Sequence, residues 1–236
     1  DTKELNEEMV KDIDVLVFDM QDVGVRFYTY ISTLYYLLQG AAKFNKSVVV
    51  LDRPNPISGT RVEGPMIDAG FESFIGIISV PIRHGFTIGE MARYMNQTYH
   101  IGAPLEVVRM ANWKRKMWFE ATKLPWVSTS PAIPHFATLT LYPDVCFLEG
   151  CNVSVGRGTA LPFEVFGAPW IDGNVLADKL NLLKLKGVRF RATNFEPARD
   201  PHGKQNCGGV QIHVTDREAA SPMWVGLELI AMIRRL

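Results

Sequence analysis

Residues 13–30 read IDVLVFDMQDVGVRFYTY, an apolar run followed by a dense polar segment. The run Ile13–Phe18 holds one acid and has the length of a buried parallel strand. A helical pattern over 31–44 leads to a second apolar run, Val48–Leu51, which also ends in polar residues. Because ligands of open α/β sheets bind outside the carboxyl ends of parallel strands, the sequence predicts a ligand site where these two strands end.

The rest of the chain predicts further helices and strands. A domain boundary, weakly marked in the sequence, is predicted near residue 105. Thr87 and Glu90 have the spacing of a capping box, and Asp216 is the predicted cap of a last helix. Residues 111–143, which contain three tryptophans, predict an ordered but irregular segment. Helices are predicted over 3–12, 87–99 and 173–185, and strands over 105–109, 188–193 and 209–214.

Composition narrows the class of protein. The 236 residues have a formal net charge of +0, which argues against a nucleic-acid-binding surface. No apolar run approaches the roughly 20 residues of a membrane span, and no signal peptide is visible. The three cysteines form no CxxC pair and the five histidines no HxH or HxxxH pair, so the sequence predicts no metal site.

The polar segment after the first strand is the first candidate site. Its carboxylates and amide can hold sugar hydroxyls, a metal or a catalytic water, and the alternative is capping of the local backbone. The candidate residues are Asp19, Gln21, Asp22, Arg26, Tyr28 and Tyr30.

Two further motifs, LDRPNP at 51–56 and PIRHGFT at 81–87, carry candidate ligand-binding residues. Arg53 can pair with Asp52, and the flanking prolines hold Asn55 rigid for a sugar or amide. Arg83 and His84 precede a helix N-terminus, where an anion is favoured. The alternative for LDRPNP is a proline-rich turn with a salt bridge. The alternative for PIRHGFT is a structural role of the histidine.

The segment 148–170, LEGCNVSVGRGTALPFEVFGAPW, is the densest candidate. Glu149 follows an apolar stretch, so burial is expected to raise its pKa and suit it to act as a general acid. Asn152 and Arg157 follow among glycines that allow close approach of a ligand. The alternative is a salt bridge between Glu149 and Arg157. The GRGT run lacks the spacing of a phosphate-binding loop.

Eight separated motifs, in order over essentially the whole chain, resemble the NamZ-type exo-β-N-acetylmuramidases. They are DVLVFDMQDVGVRFYTYIS, VVLDRPNP, VEGP, PIRHGFTIGE, LPWVSTSPAIP, YPDVCFLEGCNVSVGRGT, PFEVFGAPWID and CGGVQIHVTD.

The resemblance implies an α/β fold, with a Rossmann-like parallel-sheet domain at 1–105 and a second, smaller α/β (α+β) subdomain at 106–236. It also implies an active site between them, no cofactor, and export to the periplasm or the cell exterior. Members carry an upstream Glu-His-Gly-Phe run with an expected catalytic Glu, and this chain is expected to begin after that point. RHGF at 83–86 has Arg83 where that Glu would stand.

The implied activity is release of N-acetylmuramic acid from the non-reducing ends of peptidoglycan fragments. Glu149, predicted to lie near Asp22, is the expected catalytic partner of that residue. If the upstream Glu is the general acid, Glu149 is instead expected to hold sugar hydroxyls or to position water. The other candidates are expected to bind substrate. The lactyl carboxylate of the sugar is expected to contact at least one of Arg26, Arg53, Arg83 and Arg157.

Two other classes of function fit the same residues. One is a non-catalytic protein that binds cell-wall sugars, and the other is a sugar transferase or deacetylase on the same fold. Turnover of an N-acetylmuraminide distinguishes hydrolysis from binding.

Overall fold

The two strands predicted from the quoted stretch are adjacent and parallel in the computed structural model, which describes residues 3–199 and 201–236. Strand β1 (Val15–Phe18) pairs with β2 (Ser47–Leu51), with Val15 opposite Ser47. Strand β3 (Leu105–Val108) pairs in parallel with the other side of β2. The sheet order is therefore β1-β2-β3, and all three carboxyl ends lie on one edge.

Helices cover one face of this sheet. Helix α1 (Glu7–Val10) is a short turn within the longer helix predicted over 3–12. Helices α2 (Tyr30–Lys43) and α3 (Ile88–Thr98) pack their apolar residues against Phe18, Val48 and Val50. The predicted capping box is confirmed, because the Thr87 side chain accepts from the Glu90 N–H and the Glu90 side chain accepts from the Thr87 N–H.

The opposite face of β1 is exposed, so the prediction of a fully buried strand is wrong. Val15 is 46% and Val17 is 59% exposed. Both helices lie on the face that carries Leu16 and Phe18. The apolar run therefore reflects burial of alternate residues only.

A second unit contains an antiparallel sheet. Strand β4 (Val165–Ala168) and strand β5 (Val188–Phe195) flank β6 (Cys207–Val214), which gives the order β4-β6-β5. Helix α4 (Phe136–Val145) packs on α6 (Pro222–Ile233), and α5 (Gly173–Leu182) packs on β5 and β6. The predicted α/β fold with a second, α+β subdomain is confirmed.

Several element bounds differ from the sequence predictions. Helix α4 begins inside the segment predicted to be irregular, and β4 was not predicted. The last helix begins at Pro222, because proline fits the first turn of a helix, whereas Asp216 caps a separate turn at Glu218 and Ala219.

The chain divides into two units, Asp1–Pro125 and Trp126–Leu236. The sequence predicted the division at 105/106. The segment after β3 belongs with the first unit because its backbone bonds to it: Phe119 N–H donates to Pro56 O, and Gly59 N–H donates to Arg115 O. No helix among the described residues is both long and apolar enough to cross a membrane.

Candidate functional site

A cavity of about 590 Å³ lies at the carboxyl edge of the parallel sheet. Its volume falls within the roughly 300–1,000 Å³ of small-molecule sites. We call it the strand-end cavity. Asp19 follows β1, Asp52 and Arg53 follow β2, and Trp113 comes from the segment after β3. The cavity therefore lies where the sequence predicted a ligand site.

An ion pair between Asp19 and Arg53 forms one polar part of this cavity. Arg53 Nη2 lies 2.6 Å and Nε 2.7 Å from Asp19 Oδ1. Both side chains remain accessible, at 45% and 39% exposure. The predicted pairing of Arg53 with Asp52 is wrong, because the guanidinium crosses to the neighbouring strand end.

A second cavity of about 320 Å³ adjoins the first and shares Asp52, Met110 and Trp113 with it. We call it the side cavity. Its other lining residues come from the start of α3 and the end of β3: Thr87, Gly89, Glu90, Arg93, Val107 and Arg109.

Asp52 joins the end of β2 to the start of α3. Its Oδ1 accepts from Gly89 N–H at 2.8 Å and from Arg53 N–H at 3.0 Å, and its Oδ2 accepts from Thr87 Oγ1 at 3.0 Å. A side chain at Gly89 would place its Cβ 2.7 Å from Asp52 Cγ, so this close approach requires glycine. Burial raises the pKa of Asp52, and these hydrogen bonds only partly oppose the rise.

Replacing Asp52 tests this junction. We expect Asp52→Ala to lower the free energy of unfolding by about 1–3 kcal/mol, because it leaves three donors unpaired. Asp52→Asn keeps an acceptor and should cost less. Because the pKa is raised in the folded state, the stability from this group is present below about pH 4 and is lost as the pH rises. Urea unfolding from pH 3 to 7 should therefore show that the stability of the Asp52→Asn variant rises relative to that of the parent chain as the pH rises.

Asp22 and His84 form a buried pair behind the strand ends. Each residue is 4% exposed, and Asp22 Oδ2 lies 3.4 Å from His84 Nε2. His84 Nδ1 accepts from Phe86 N–H at 3.1 Å, which assigns the imidazole proton to Nε2, facing Asp22. Asp22 Oδ2 also accepts from Gly24 N–H at 2.7 Å. Each side chain accepts a hydrogen bond from its own loop, and neither residue lines either cavity.

Gln21 and Asn55 tie backbone segments together. Gln21 Nε2 donates to Pro54 O at 2.8 Å, which links the ends of β1 and β2. Asn55 is 2% exposed; its Nδ2 donates to Phe86 O at 2.9 Å and its Oδ1 accepts from Ile57 N–H. Their amides thus organise the edge on which the cavities lie.

The remaining candidates of the first unit lie away from both cavities. Arg26 Nη1 donates to the carbonyls of Pro65 and Val80, and burial lowers its pKa. Arg83 is 1% exposed. The rings of Tyr28 and Tyr30 contact each other edge to face, with centroids 4.9 Å apart.

Glu149, Asn152 and Arg157 belong to the second unit. Arg157 Nε donates to Glu149 Oε1, as the salt-bridge alternative predicted, and its guanidinium lies 4.9 Å from the Phe163 ring centroid. The Glu149 side chain is 33% exposed and not enclosed by apolar groups. Asn152 O lies 3.1 Å from His202 Nε2. The predicted proximity of Glu149 to Asp22 joins residues of two different units and stays a prediction.

Of the lining residues that were not predicted as site residues, several can bind a ligand through a charge or an indole. Asp52 and Arg109 directly follow β2 and β3, so the strand-end rule that selected Asp19 also applies to them. Trp113 begins the tryptophan-rich segment, whereas Trp118 is buried against Arg83. Arg93, on the first turns of α3, has no comparable signal. Across residues 3–199 and 201–236, no cluster of His, Cys, Asp and Glu could hold a metal.

Comparisons with known proteins agree with this architecture. Residues 1–137 match the family "Exo-beta-N-acetylmuramidase NamZ, N-terminal", and residues 140–236 match its C-terminal counterpart. The chain belongs to the NamZ exo-β-N-acetylmuramidase family. The resemblance of the eight motifs is thereby confirmed.

One similar protein is the peptidoglycan beta-N-acetylmuramidase NamZ of Bacillus subtilis strain 168, which is 46% identical over 235 residues. The match covers 100% of this chain and 57% of that protein, so the chain spans little more than half of its relative.

Two crystal structures of DUF1343 family proteins from Bacteroides fragilis are also similar. The first has a TM-score of 0.92 at 38% identity, and the match covers 99% of this chain and 62% of the length of that protein. The second has a TM-score of 0.75 at 31% identity, and the match covers 92% of this chain and 58% of the length of that protein.

Proposed function

We propose that this chain acts as an exo-acting glycoside hydrolase that releases N-acetylmuramic acid from the non-reducing ends of peptidoglycan fragments. The observation that carries the proposal is the 46% identity, across the whole chain, to a protein named as a peptidoglycan muramidase. The strand-end cavity supports it, because it combines an indole with an accessible carboxylate and guanidinium.

The strand-end cavity suits one sugar ring. Trp113 offers an aromatic surface against which the apolar face of a pyranose packs. Asp19 and Arg53 offer an acceptor and several donors for hydroxyl and acetamido groups. Because each charge is already balanced by the other, the pair binds neutral groups without exposing a net charge.

Acid/base catalysis of glycoside hydrolysis uses two carboxyl groups at the scissile bond. Asp22 acts in this proposal as a positioning residue, since its carboxylate accepts from Gly24 N–H and lies beside His84. Asp19 is the accessible carboxylate of the strand-end cavity and binds the sugar there. The catalytic role of Glu149 stays a prediction, and its ion pair with Arg157 favours a charge-balanced, substrate-orienting role.

Turnover of 4-nitrophenyl N-acetyl-β-muraminide tests the proposed function. The purified chain is assayed beside the full-length Bacillus subtilis relative as a positive control and on 4-nitrophenyl N-acetyl-β-glucosaminide as the substrate control. We expect nitrophenol release from the muraminide alone. Release from the glucosaminide at the same rate, or no release from the muraminide, would contradict the proposal.

Trp113 is the residue of the strand-end cavity with the largest expected effect on sugar binding. We expect Trp113→Ala to weaken binding of N-acetylmuramic acid about 30-fold or more, because a tryptophan anchor is typically worth about 2 kcal/mol or more. Trp224→Ala is the matched control, since Trp224 is 58% exposed on α6 of the second unit. Isothermal titration calorimetry measures both, and equal losses would assign the effect to general destabilisation.

Export from the cytoplasm is part of the same proposal. Peptidoglycan lies outside the cytoplasmic membrane, so an enzyme that trims it acts in the periplasm or at the cell exterior. Detection of the protein in a periplasmic or culture-medium fraction, with a cytoplasmic marker absent from that fraction, is the expected result.

A further inference from the structure

The four arginines predicted to bind a carboxylate already have partners. Arg53 pairs with Asp19 and Arg157 with Glu149. Arg26 donates to two backbone carbonyls, and Arg83 is buried beside Glu63. A substrate carboxylate would have to displace these contacts to bind any of them.

Two other arginines line the side cavity without such partners. Arg93 lies on α3, and Arg109 follows the last residue of β3. Both side chains are exposed, and neither has an ion pair or side-chain hydrogen bond with any residue in the described part of the chain.

The acids of the side cavity do not neutralise these arginines. Asp52 accepts hydrogen bonds from Gly89, Thr87 and Arg53, as described above. Glu90 accepts from Thr87 N–H at 2.9 Å and pairs with Arg115. The side cavity therefore presents two cations whose donors are unused.

Trp113 adds an unused donor. Its Nε1 is buried and has no hydrogen-bond acceptor within residues 3–199 and 201–236. Buried N–H groups normally have an acceptor, so an orphaned one beside two unpaired guanidinium groups marks a place that lacks an anion or a hydroxyl. Trp113 lines both cavities, so this donor lies at their junction.

We propose that Arg93 and Arg109 form a carboxylate-binding subsite that takes the acidic group on the 3-O-substituent of the muramic acid ring. The inference rests on the proposed function. The sugar ring occupies the strand-end cavity, and its substituent passes Asp52 and Trp113 into the side cavity. Guanidinium groups bind carboxylates through paired, charge-assisted hydrogen bonds.

This subsite would select muramic acid over glucosamine. The two sugars differ by the lactyl ether at O3, so contacts in the strand-end cavity are common to both. A carboxylate contact in the side cavity is available to muramic acid alone. The carboxylate is that of the lactyl group when no peptide is attached, and that of the stem peptide when the lactyl group is amidated.

Calorimetric binding to the intact chain tests the subsite without depending on turnover. The ligands are N-acetylmuramic acid and N-acetylglucosamine, and the variants are Arg93→Gln, Arg109→Gln and the double variant. Each single variant should lose about 10- to 100-fold in affinity for N-acetylmuramic acid, since a hydrogen bond to a charged group is worth about 1.5–3 kcal/mol. Affinity for N-acetylglucosamine should change less than about threefold.

Two controls accompany the measurement. Lys46→Ala removes a cation before β2, at the opposite edge of the sheet, and should leave both affinities unchanged. Arg93→Lys keeps the charge but not the paired donors, and should recover part of the lost affinity.

The source of the carboxylate is distinguished by two further ligands. The lactyl amide of N-acetylmuramic acid should bind independently of both arginines. Muramyl dipeptide, whose lactyl group is amidated but whose peptide carries a carboxylate, should depend on them only if the subsite takes the stem peptide. Arginine-dependent binding of neither acid would overturn the inference.

Failure of the subsite and failure of the proposed function give different results. If both sugars bind equally well to the parent chain and to every arginine variant, sugar binding stands and the subsite is wrong. If the parent chain binds neither sugar and hydrolyses no muraminide, the proposed function is wrong. The subsite has then lost its basis as well.

Discussion

Replacing Arg83 with methionine is expected to lower the free energy of unfolding by about 3–5 kcal/mol, because the change leaves the partly buried carboxylate of Glu63 without its cation and the Ile57 carbonyl without its donor. Arg83 is 1% exposed, and its Nη1 lies 3.5 Å from Glu63 Oε2. Its Nη2 donates to the carbonyl of Ile57, and its guanidinium carbon lies 5.4 Å from the Trp118 ring centroid. Urea unfolding at pH 7 measures the loss.

A double variant separates the lost ion pair from lost packing. Adding Glu63→Leu to Arg83→Met removes both charges, so we expect it to recover at least half of the stability. A loss below about 1 kcal/mol for Arg83→Met, accompanied by weaker sugar binding, would instead support the substrate contact that the sequence predicted for Arg83. The two results cannot be confused, since one concerns unfolding and the other affinity.

The parallel sheet could be predicted because its signals are local. The runs at 13–18 and 47–52 are bounded by polar residues, and the helix between them is long enough for a crossover. The capping box depends on two residues three positions apart, and it was found where expected.

The elements that were missed lack such local signals. Helix α4 is apolar on nearly every side and contains Pro143, so it shows no amphipathic period. Strand β4 has four residues, all buried, and therefore no alternation. Burial on all sides removes the contrast from which sequence periodicity is detected.

The sequence predicted the place of the candidate cavity in the fold better than it predicted the residues that line it. The strand ends do form a cavity, and Asp19 and Arg53 line it. The partners of Arg26 and Arg83 lie about 20 to 50 positions away in the sequence, and spacing along the chain carries no information about them. Arg109 could have been found, because it follows the third strand just as Asp19 follows the first.

Glu149 shows how an apolar neighbourhood in sequence can mislead. Val145 and Leu148 before it are buried, but the chain turns in a short 3₁₀ segment, Cys146–Gly150, and brings the carboxylate to Arg157. Its other oxygen accepts from Cys146 Sγ at 3.3 Å. The desolvation expected for Glu149 acts instead on the Cys146 thiol, whose pKa it raises.

Cys146 is therefore expected to react with iodoacetamide at least about 100-fold more slowly than Cys151 at pH 8. Burial raises the pKa of the Cys146 thiol well above its usual range, and the charge of Glu149 raises it further. The thiolate is the nucleophile, so each rise of one unit in pKa lowers the reactive fraction about tenfold. Cys151, which like Cys146 is partly exposed, serves as the internal reference. Mass spectrometry of tryptic peptides measures the two rates in one sample.

Variants of Glu149 and Arg157 test whether the charge of each residue raises or lowers the pKa of the Cys146 thiol. Glu149→Gln removes the anion that accepts from the thiol, so we expect Cys146 alkylation to accelerate about tenfold or more. Arg157→Gln removes a cation that lowers the pKa of the thiol, so alkylation should become slower still. Simple loosening of this turn would accelerate the reaction in both variants. Opposite changes therefore place Glu149 in a charge-balanced cluster with Arg157 and Cys146, whereas equal accelerations would contradict that arrangement.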